Sequence, residues 1–140
     1  MSVGTYLYFP GNCLEAADFY ADAFKTDTPK VLTYGDAPGG GGAVPDAMKK
    51  RVLHAEIKIA GDAVMLSDAP PDRSVTVGDN ISVVVTLETA DHVKAAFDKL
   101  KAGGEVVMEI QETFFSKCYA YVIDKYGVGW QLTTGSPTKD

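Results

Sequence analysis

Residues 52–67, VLHAEIKIAGDAVMLS, carry the pattern that decides the fold. Apolar and polar residues alternate through the first half of this stretch, which predicts a strand with one apolar and one polar face. Gly61-Asp62 predicts a tight hairpin turn into a second strand. The stretch therefore predicts an antiparallel strand pair in which His54 and Glu56 stand on the same polar face.

The same order of elements surrounds this pair twice. In residues 3–68, one strand is followed by an amphipathic helix and three further strands, and residues 80–134 repeat that order. Residues 69–79, which contain two prolines, are predicted to link the halves. We predict one α+β domain over 1–140 with two tandem βαβββ modules and a cleft where they meet.

Each predicted helix has a start signal. Asn12 is expected to cap a helix over 14–24, and Glu15 completes a capping-box pattern. Thr89 is expected to cap a helix over 90–102, which stops at Gly103-Gly104 because glycine suits the left-handed C-terminal position.

Composition limits the function. The chain has 140 residues, 46% of them hydrophobic, and a formal net charge of −6, which argues against a nucleic-acid partner. No apolar stretch approaches the roughly 20 residues of a membrane helix, and no signal peptide is predicted. Cys13 and Cys118 are too isolated for a zinc motif or a disulfide framework. We predict a cytoplasmic protein with free thiols and no membrane partner.

Several short motifs carry a family resemblance along nearly the whole chain. They are YLYFPGNC (6–13) with Glu15-Ala16 and Phe19-Tyr20, YGD (34–36), His54-Ala55, MLSD (65–68), GDN (78–80), QETFF (111–115) and DKYGVGW (124–130). This set resembles PhnB-like proteins, a branch of the glyoxalase/bleomycin-resistance (vicinal oxygen chelate, VOC) superfamily. The resemblance implies a curved, mixed, mostly antiparallel sheet with a cleft, and assembly as a homodimer.

The resemblance also implies where a metal would bind. Metal-using members take one ligand from the first and one from the last strand of each module, and those positions here are Thr5, Leu66, Asn80 and Gln131. A hard divalent ion prefers carboxylates and imidazoles, and these four side chains are neutral. A register slip of one residue would bring in Tyr6 or Asp79. We predict no cofactor, although a divalent metal at other positions stays open.

His54 and Glu56 are the candidate catalytic pair. If their face lines the cleft, Glu56 could hold His54 in one tautomer and raise its basicity for general-base work. The alternative is that they form only the polar face of a half-buried strand. The candidate ligand-binding cleft residues are Thr5, Asn80, Glu112, Phe115 and Gln131.

Four other features have structural interpretations. Asp124–Gly127 is predicted to form a hairpin turn, and Cys118 to be a small packed residue. The run Gly39–Gly42 lacks the ending of a phosphate loop, so it is interpreted as a lid or a surface loop. Tyrosines that alternate along two strands are interpreted as core or dimer packing; they are Tyr6, Tyr8, Tyr119 and Tyr121.

Two functions from different classes follow. The first is a metal-free protein that binds a small aromatic or cationic molecule in the cleft. The alternative is a lyase or isomerase that uses His54 and Glu56, with or without a metal recruited by Glu112. Some proteins of this branch carry a methyltransferase name, but the sequence has no glycine-rich strand-to-helix motif for a methyl donor.

Overall fold

The computed structural model describes residues 1–37 and 44–135. Both halves show the predicted βαβββ order. The elements are β1 (Thr5–Phe9), α1 (Cys13–Phe24), β2 (Lys30–Thr33), β3 (Val52–Ile59), β4 (Asp62–Asp68), β5 (Ser82–Thr86), α2 (Ala90–Leu100), β6 (Glu105–Gln111), β7 (Cys118–Ile123) and β8 (Gly129–Thr134), with a 3₁₀ turn at Asp46–Met48. The run Gly39–Gly42 lies outside the described residues.

Each module forms its own four-stranded sheet, and the two sheets have the same topology. The strand orders are β1-β4-β3-β2 and β5-β8-β7-β6. The first and last strands of each module pair in parallel, and the other pairs are antiparallel. The predicted mixed, mostly antiparallel pairing is therefore confirmed module by module.

The chain divides into two compact units. The first contains Met1–Ala21 and Thr26–Thr76, and the second contains Asp22–Lys25 and Val77–Asp140. The boundary after residue 76 falls inside the predicted linker. The last turn of α1 belongs to the second unit, where the ring of Phe24 lies 5.3 Å from that of Trp130. The grouping of residues 1–140 into a single domain stays a prediction.

The first sheet buries one face. Ala55, Ile57 and Leu66 are almost fully buried there, and Phe9 packs against Tyr20 of α1 with ring centroids 6.4 Å apart. Strict alternation with Ala55 and Ile57 would put Leu53 on this face, but Val52 is the fully buried residue at the start of β3. A register shift opposite Leu32 and Thr33 changes the alternation at this end of the strand.

The N-terminus of α1 is capped differently from the prediction. The backbone amide of Cys13 donates to Oδ1 of Asp68 at 2.9 Å, and the amide of Val52 donates to Oδ2 at 2.9 Å. Among the residues that the structure describes, the buried side-chain oxygen of Asn12 finds no hydrogen-bond partner. A buried carboxylate from the end of β4 replaces the neutral cap because its charge favours the positive end of the helix dipole.

In the second unit, α2 covers one face of the sheet. Thr89 accepts from the amide of His92 at 3.1 Å, as predicted, and the helix ends at Leu100, two residues before the predicted end. A Cβ on Gly104 would collide with the carbonyl oxygen of Ile123, so the chain needs glycine there to begin β6. No helix among the described residues is long and apolar enough to cross a membrane.

Candidate functional site

The face of the first sheet opposite the buried one is accessible, and it is called here the open face of the first sheet. Strand register places Tyr6, Met65 and Glu56 in one row across it. Because residues two apart share a face, Tyr8 and His54 lie on the same side. Tyr6 and Tyr8 are 38% and 58% exposed, so this face presents aromatic surface to solvent.

Tyr6, Tyr8 and His54 form a contiguous cluster on this face, the tyrosine–histidine cluster. The Tyr6 and Tyr8 rings stack with centroids 4.9 Å apart at 28°. The Tyr6 hydroxyl lies 3.1 Å from Nδ1 of His54, within hydrogen-bond distance. The Tyr6 hydrogen bond orients the imidazole, and the hydroxyl can either donate to Nδ1 or accept from Nδ1–H, according to the tautomer of His54. The cluster offers a π surface beside a fixed imidazole.

Glu56 shares the face with His54, as predicted, but it does not hold the imidazole. Within residues 1–37 and 44–135, no hydrogen bond or ion pair joins the two side chains, and the Tyr6 hydroxyl takes that orienting place. Sequence reasoning interpreted Tyr6 as packing and missed this contact. The signal was the alternation in residues 5–9, which places Tyr6 and Tyr8 on one face.

The second sheet carries a different polar group on the face away from α2. The Tyr119 hydroxyl donates to Oε1 of Gln131 at 2.7 Å, and Nε2 of Gln131 donates to Oγ of Ser82 at 2.7 Å. Burial raises the pKa of the Tyr119 hydroxyl, and Tyr121 adds to the rise. The ring of Phe115 meets Tyr119 edge-on at 5.1 Å. Two predicted cleft residues, Phe115 and Gln131, thus contact the same tyrosine.

The other predicted cleft residues are not brought to these groups. Thr5 pairs with Val64, and alternation places it on the side opposite Tyr6. Asn80 and Glu112 lie in exposed segments just outside strands. Thr5 was predicted as a cleft residue, whereas the strand pairing gives the accessible side of β1 to Tyr6.

The donor set does not fit a hard divalent cation at the positions that metal-using relatives use. Leu66 is fully buried and cannot ligate. On the accessible side of the first sheet, β1 carries Tyr6 and β4 carries Met65 at the paired positions. In the second sheet, β5 carries Ser82 and β8 carries Gln131. All four side chains are neutral, so they attract a divalent cation weakly. Across the described parts of the chain, no three His, Cys, Asp or Glu side chains cluster as a metal site would require.

Asp124 serves the turn between β7 and β8, as its sequence context predicted. Its Oδ1 accepts from the amides of Tyr126 at 2.8 Å and Val128 at 3.0 Å, and its Oδ2 accepts from the indole of Trp130 at 2.9 Å. The carboxylate is buried, and these three donors stabilise it. Asp124 is therefore a structural residue.

Both cysteines are buried and free. Burial raises the pKa of Cys13 to about 12, with a smaller contribution from the charge of Asp68. Burial also raises the pKa of Cys118, although Lys94 opposes the rise. A thiol that is buried and hard to ionise is a poor nucleophile, which agrees with the interpretation of Cys118 as a packed residue.

Comparison with known proteins agrees with the fold and the motifs. A family model described as 3-demethylubiquinone-9 3-methyltransferase matches residues 1–133. Protein YjdN of Escherichia coli (strain K12) is 30% identical over 142 residues, which span 94% of each chain. The structure of a PhnB protein from Bacillus cereus, described as a putative 3-demethylubiquinone-9 3-methyltransferase, covers 96% of this chain and 100% of its own, with TM-score 0.73 and 30% identity.

A more distant structure shows the fold alone. The glyoxylase/bleomycin resistance protein/dioxygenase domain from Frankia sp. EAN1pec covers 99% of this chain and 95% of its own, with TM-score 0.66 and 14% identity. The predicted glyoxalase/bleomycin-resistance fold and the PhnB-like resemblance are both confirmed.

Proposed function

The chain belongs to the PhnB-like family whose model is described as 3-demethylubiquinone-9 3-methyltransferase, and from that membership we propose that it binds a planar aromatic cation, without a metal ion, on the open face of its first sheet. The observation that carries the proposal is the tyrosine–histidine cluster, in which a tyrosine stack is fixed by a hydrogen bond to His54. Exposed aromatic rings held in place present a stacking surface at little cost in conformational entropy.

Each residue of this face has a separate role in the proposal. The ring stack of Tyr6 and Tyr8 receives the planar ligand, and a cation over such a ring gains about 0.5–2 kcal/mol. Glu56 lies in the same row as Tyr6, with Met65 between them and Lys30 of β2 on its other side, and in the proposal its carboxylate attracts the cation to this face. The formal net charge of −6 further favours a cation over an anion.

Calorimetric titration with 1-methylquinolinium, a planar aromatic cation, tests the proposal. Tyr8→Ala is expected to weaken binding about tenfold, and Glu56→Gln to weaken it severalfold, because they remove ring stacking and charge respectively. Phe114→Ala is the matched control, since it removes an exposed aromatic ring from the second unit. Binding that survives Tyr8→Ala unchanged, or that disappears with a chelator, would overturn the proposal.

A second candidate function is proton transfer by His54 in a lyase or isomerase. What favours it is the Tyr6 contact, because His54 used as a base needs Nδ1–H donating to the Tyr6 oxygen and a lone pair on Nε2. Nε2 would then take a proton from a carbon next to a carbonyl group and return it. Exchange of such a proton with deuterated solvent, lost in His54→Ala while ligand affinity persists, would support this function over binding alone.

Methyl transfer is not part of the proposal. Nucleotide-type methyl donors use the free amides of a glycine-rich strand-to-helix turn. Here the turn between β1 and α1 has the amide of Cys13 engaged by the carboxylate of Asp68. An amide that already donates to a carboxylate of the chain is not free to donate to such a donor.

We also propose a homodimer in the cytoplasm, with neither nucleic acid nor membrane as a partner. Large apolar side chains support assembly because several are well exposed in the second unit; they are Ile81, Val84, Val107, Met108 and Phe114. The two free thiols agree with a reducing compartment. Light scattering after size exclusion is expected to give twice the 14.9 kDa mass of one chain, and a single-chain mass at micromolar concentration would contradict it.

A further inference from the structure

We infer that the second unit binds the carbonyl oxygen of a neutral, planar compound through the hydroxyl of Ser82, which Gln131 orients. The inference rests on the proposed function only in taking the chain to bind a small molecule. Its residues lie entirely in the second unit and include none of the tyrosine–histidine cluster.

The side-chain amide of Gln131 determines which of its two neighbouring hydroxyl groups can still donate a hydrogen bond to a ligand. An amide oxygen can only accept and an amide nitrogen can only donate. Gln131 lies between the hydroxyls of Tyr119 and Ser82, at 2.7 Å from each. One hydroxyl must therefore donate to the amide, and the other must accept and keep its own proton for a further acceptor. Tyr119 donates, so Ser82 keeps the proton.

Exposure agrees with this direction. Tyr119 is only 7% exposed, whereas Ser82 is half-buried and lies at the start of β5. Among the residues that the structure describes, no acceptor for the Ser82 proton is found. A half-buried hydroxyl that keeps its own proton can donate it to a ligand.

Gly129 brings a second hydroxyl to the same place. It pairs with Ser82 on one side and with Ile123 on the other. A Cβ on Gly129 would lie 3.3 Å from Cβ of Ser82 and 3.4 Å from the hydroxyl oxygen of Tyr121. Because Gly129 has no side chain, the side chains of Ser82 and Tyr121 can both approach the backbone of β8 at this point. The Tyr121 hydroxyl and the Cβ of Ser82 thus both border the space that a Gly129 side chain would fill.

The chemistry of these groups selects the ligand. Ser82, Tyr121 and Gln131 are neutral, so an anion would lose its hydration without gaining an opposite charge. A carbonyl oxygen needs only hydroxyl donors, and we assign the contact with a flat ring to Phe115, whose ring meets that of Tyr119 edge-on. The ligand class is therefore a neutral planar carbonyl compound such as an aromatic ketone.

The test is an NMR titration of the whole chain with three ligands of similar shape. Acetophenone has the carbonyl oxygen, ethylbenzene lacks it, and benzoate carries a charge. Acetophenone is expected to shift the amides of Ser82 and Gly129 and to bind about tenfold more tightly than the other two, which corresponds to about 1.4 kcal/mol.

Two variants and one control distinguish hydrogen bonding by Ser82 and Gln131 from simple packing of the ligand. Ser82→Ala is expected to reduce acetophenone to the affinity of ethylbenzene. Gln131→Glu keeps the side-chain shape, but its carboxylate accepts from both hydroxyls and turns the Ser82 proton inward, so the carbonyl preference is lost. Thr86→Val, a hydroxyl deletion on the same face of β5, is expected to change nothing.

The outcomes distinguish this inference from the proposed function. Acetophenone affinity unchanged by Ser82→Ala, or benzoate binding as tightly, overturns the inference. If 1-methylquinolinium still shifts the NMR resonances of Tyr6 and Tyr8 in that case, the proposal of ligand binding at the first sheet is retained. Ligand binding at neither unit overturns both.

Discussion

The hydroxyl of Tyr6 lies 3.1 Å from Nδ1 of His54, on the accessible side of the first sheet. The two residues come from strands that do not pair directly, because β4 lies between β1 and β3. The contact therefore depends on the sheet as a whole, and it joins an aromatic stack to an imidazole. One hydrogen bond therefore joins the proposed binding surface to His54, the candidate base.

Tyr6→Phe is expected to release the imidazole and leave the ring stack. The ¹⁵N chemical shifts of His54 should move toward a mixture of the two neutral tautomers, because Nδ1 has lost its partner. Affinity for 1-methylquinolinium should stay within about twofold, since the ring that stacks is kept. Tyr8→Phe serves as the control and should leave the ¹⁵N shifts of His54 as they are. Unchanged shifts in Tyr6→Phe would show that the hydrogen bond does not orient the imidazole.

Asp124→Asn is expected to destabilise the chain by about 2–3 kcal/mol. The carboxylate accepts from two backbone amides and the Trp130 indole, and an asparagine amide turns a donor toward at least one of them. Urea denaturation measures the free energy of unfolding. Asp62→Asn, at the exposed start of β4, is the matched control and should cost under about 0.5 kcal/mol. Equal effects of the two substitutions would contradict the structural role of Asp124.

Gly104→Ala is expected to destabilise the second unit by about 2 kcal/mol or more, because the new methyl group meets backbone that cannot move aside. Gly4→Ala is the control: its Cβ would lie 3.4 Å from the flexible end of Met65. Thermal unfolding should show a lower Tm for Gly104→Ala and an unchanged one for Gly4→Ala. A Gly104→Ala chain as stable as the original would mean that β6 begins differently.

Because the Cys13 thiol is buried, the free energy of unfolding is expected to fall at alkaline pH. Its pKa is raised from 9.0 to about 12 in the folded chain, so its contribution to stability is fully present below about pH 9 and is lost as pH rises toward 12. Between these values the free energy of unfolding should fall by up to about 1.4 kcal/mol per pH unit from this group. Urea titrations of Cys13→Ala should lack that component. A parallel pH dependence in the two proteins would contradict the burial of this thiol.

Alternation and turn chemistry were enough to predict most of the fold. The pattern at residues 52–67 predicted the β3–β4 hairpin, and the repeated element order predicted two modules of the same topology. The cap of α1 could not be predicted, because Asp68 reaches the helix from a distant strand while Asn12 is its sequence neighbour. Helix-capping rules consider only residues that are close along the chain.

The candidate site was predictable only in part, for the same reason. The shared face of His54 and Glu56 follows from a spacing of two residues. The partner of His54 does not, because it depends on which strands are adjacent and in which register. Thr5 was predicted in the cleft, but the accessible side of β1 carries Tyr6, because one residue along a strand moves a side chain to the opposite face of the sheet.

Metal-free binding on the open face of the first sheet can be tested directly by mapping 1-methylquinolinium on the chain by NMR in the presence of a chelator. We expect saturable shifts of the Tyr6, Tyr8 and His54 side-chain resonances with no metal present, and their loss in Tyr8→Ala. Binding that appears only after a divalent metal is added, or shifts that leave these three residues untouched, would contradict it.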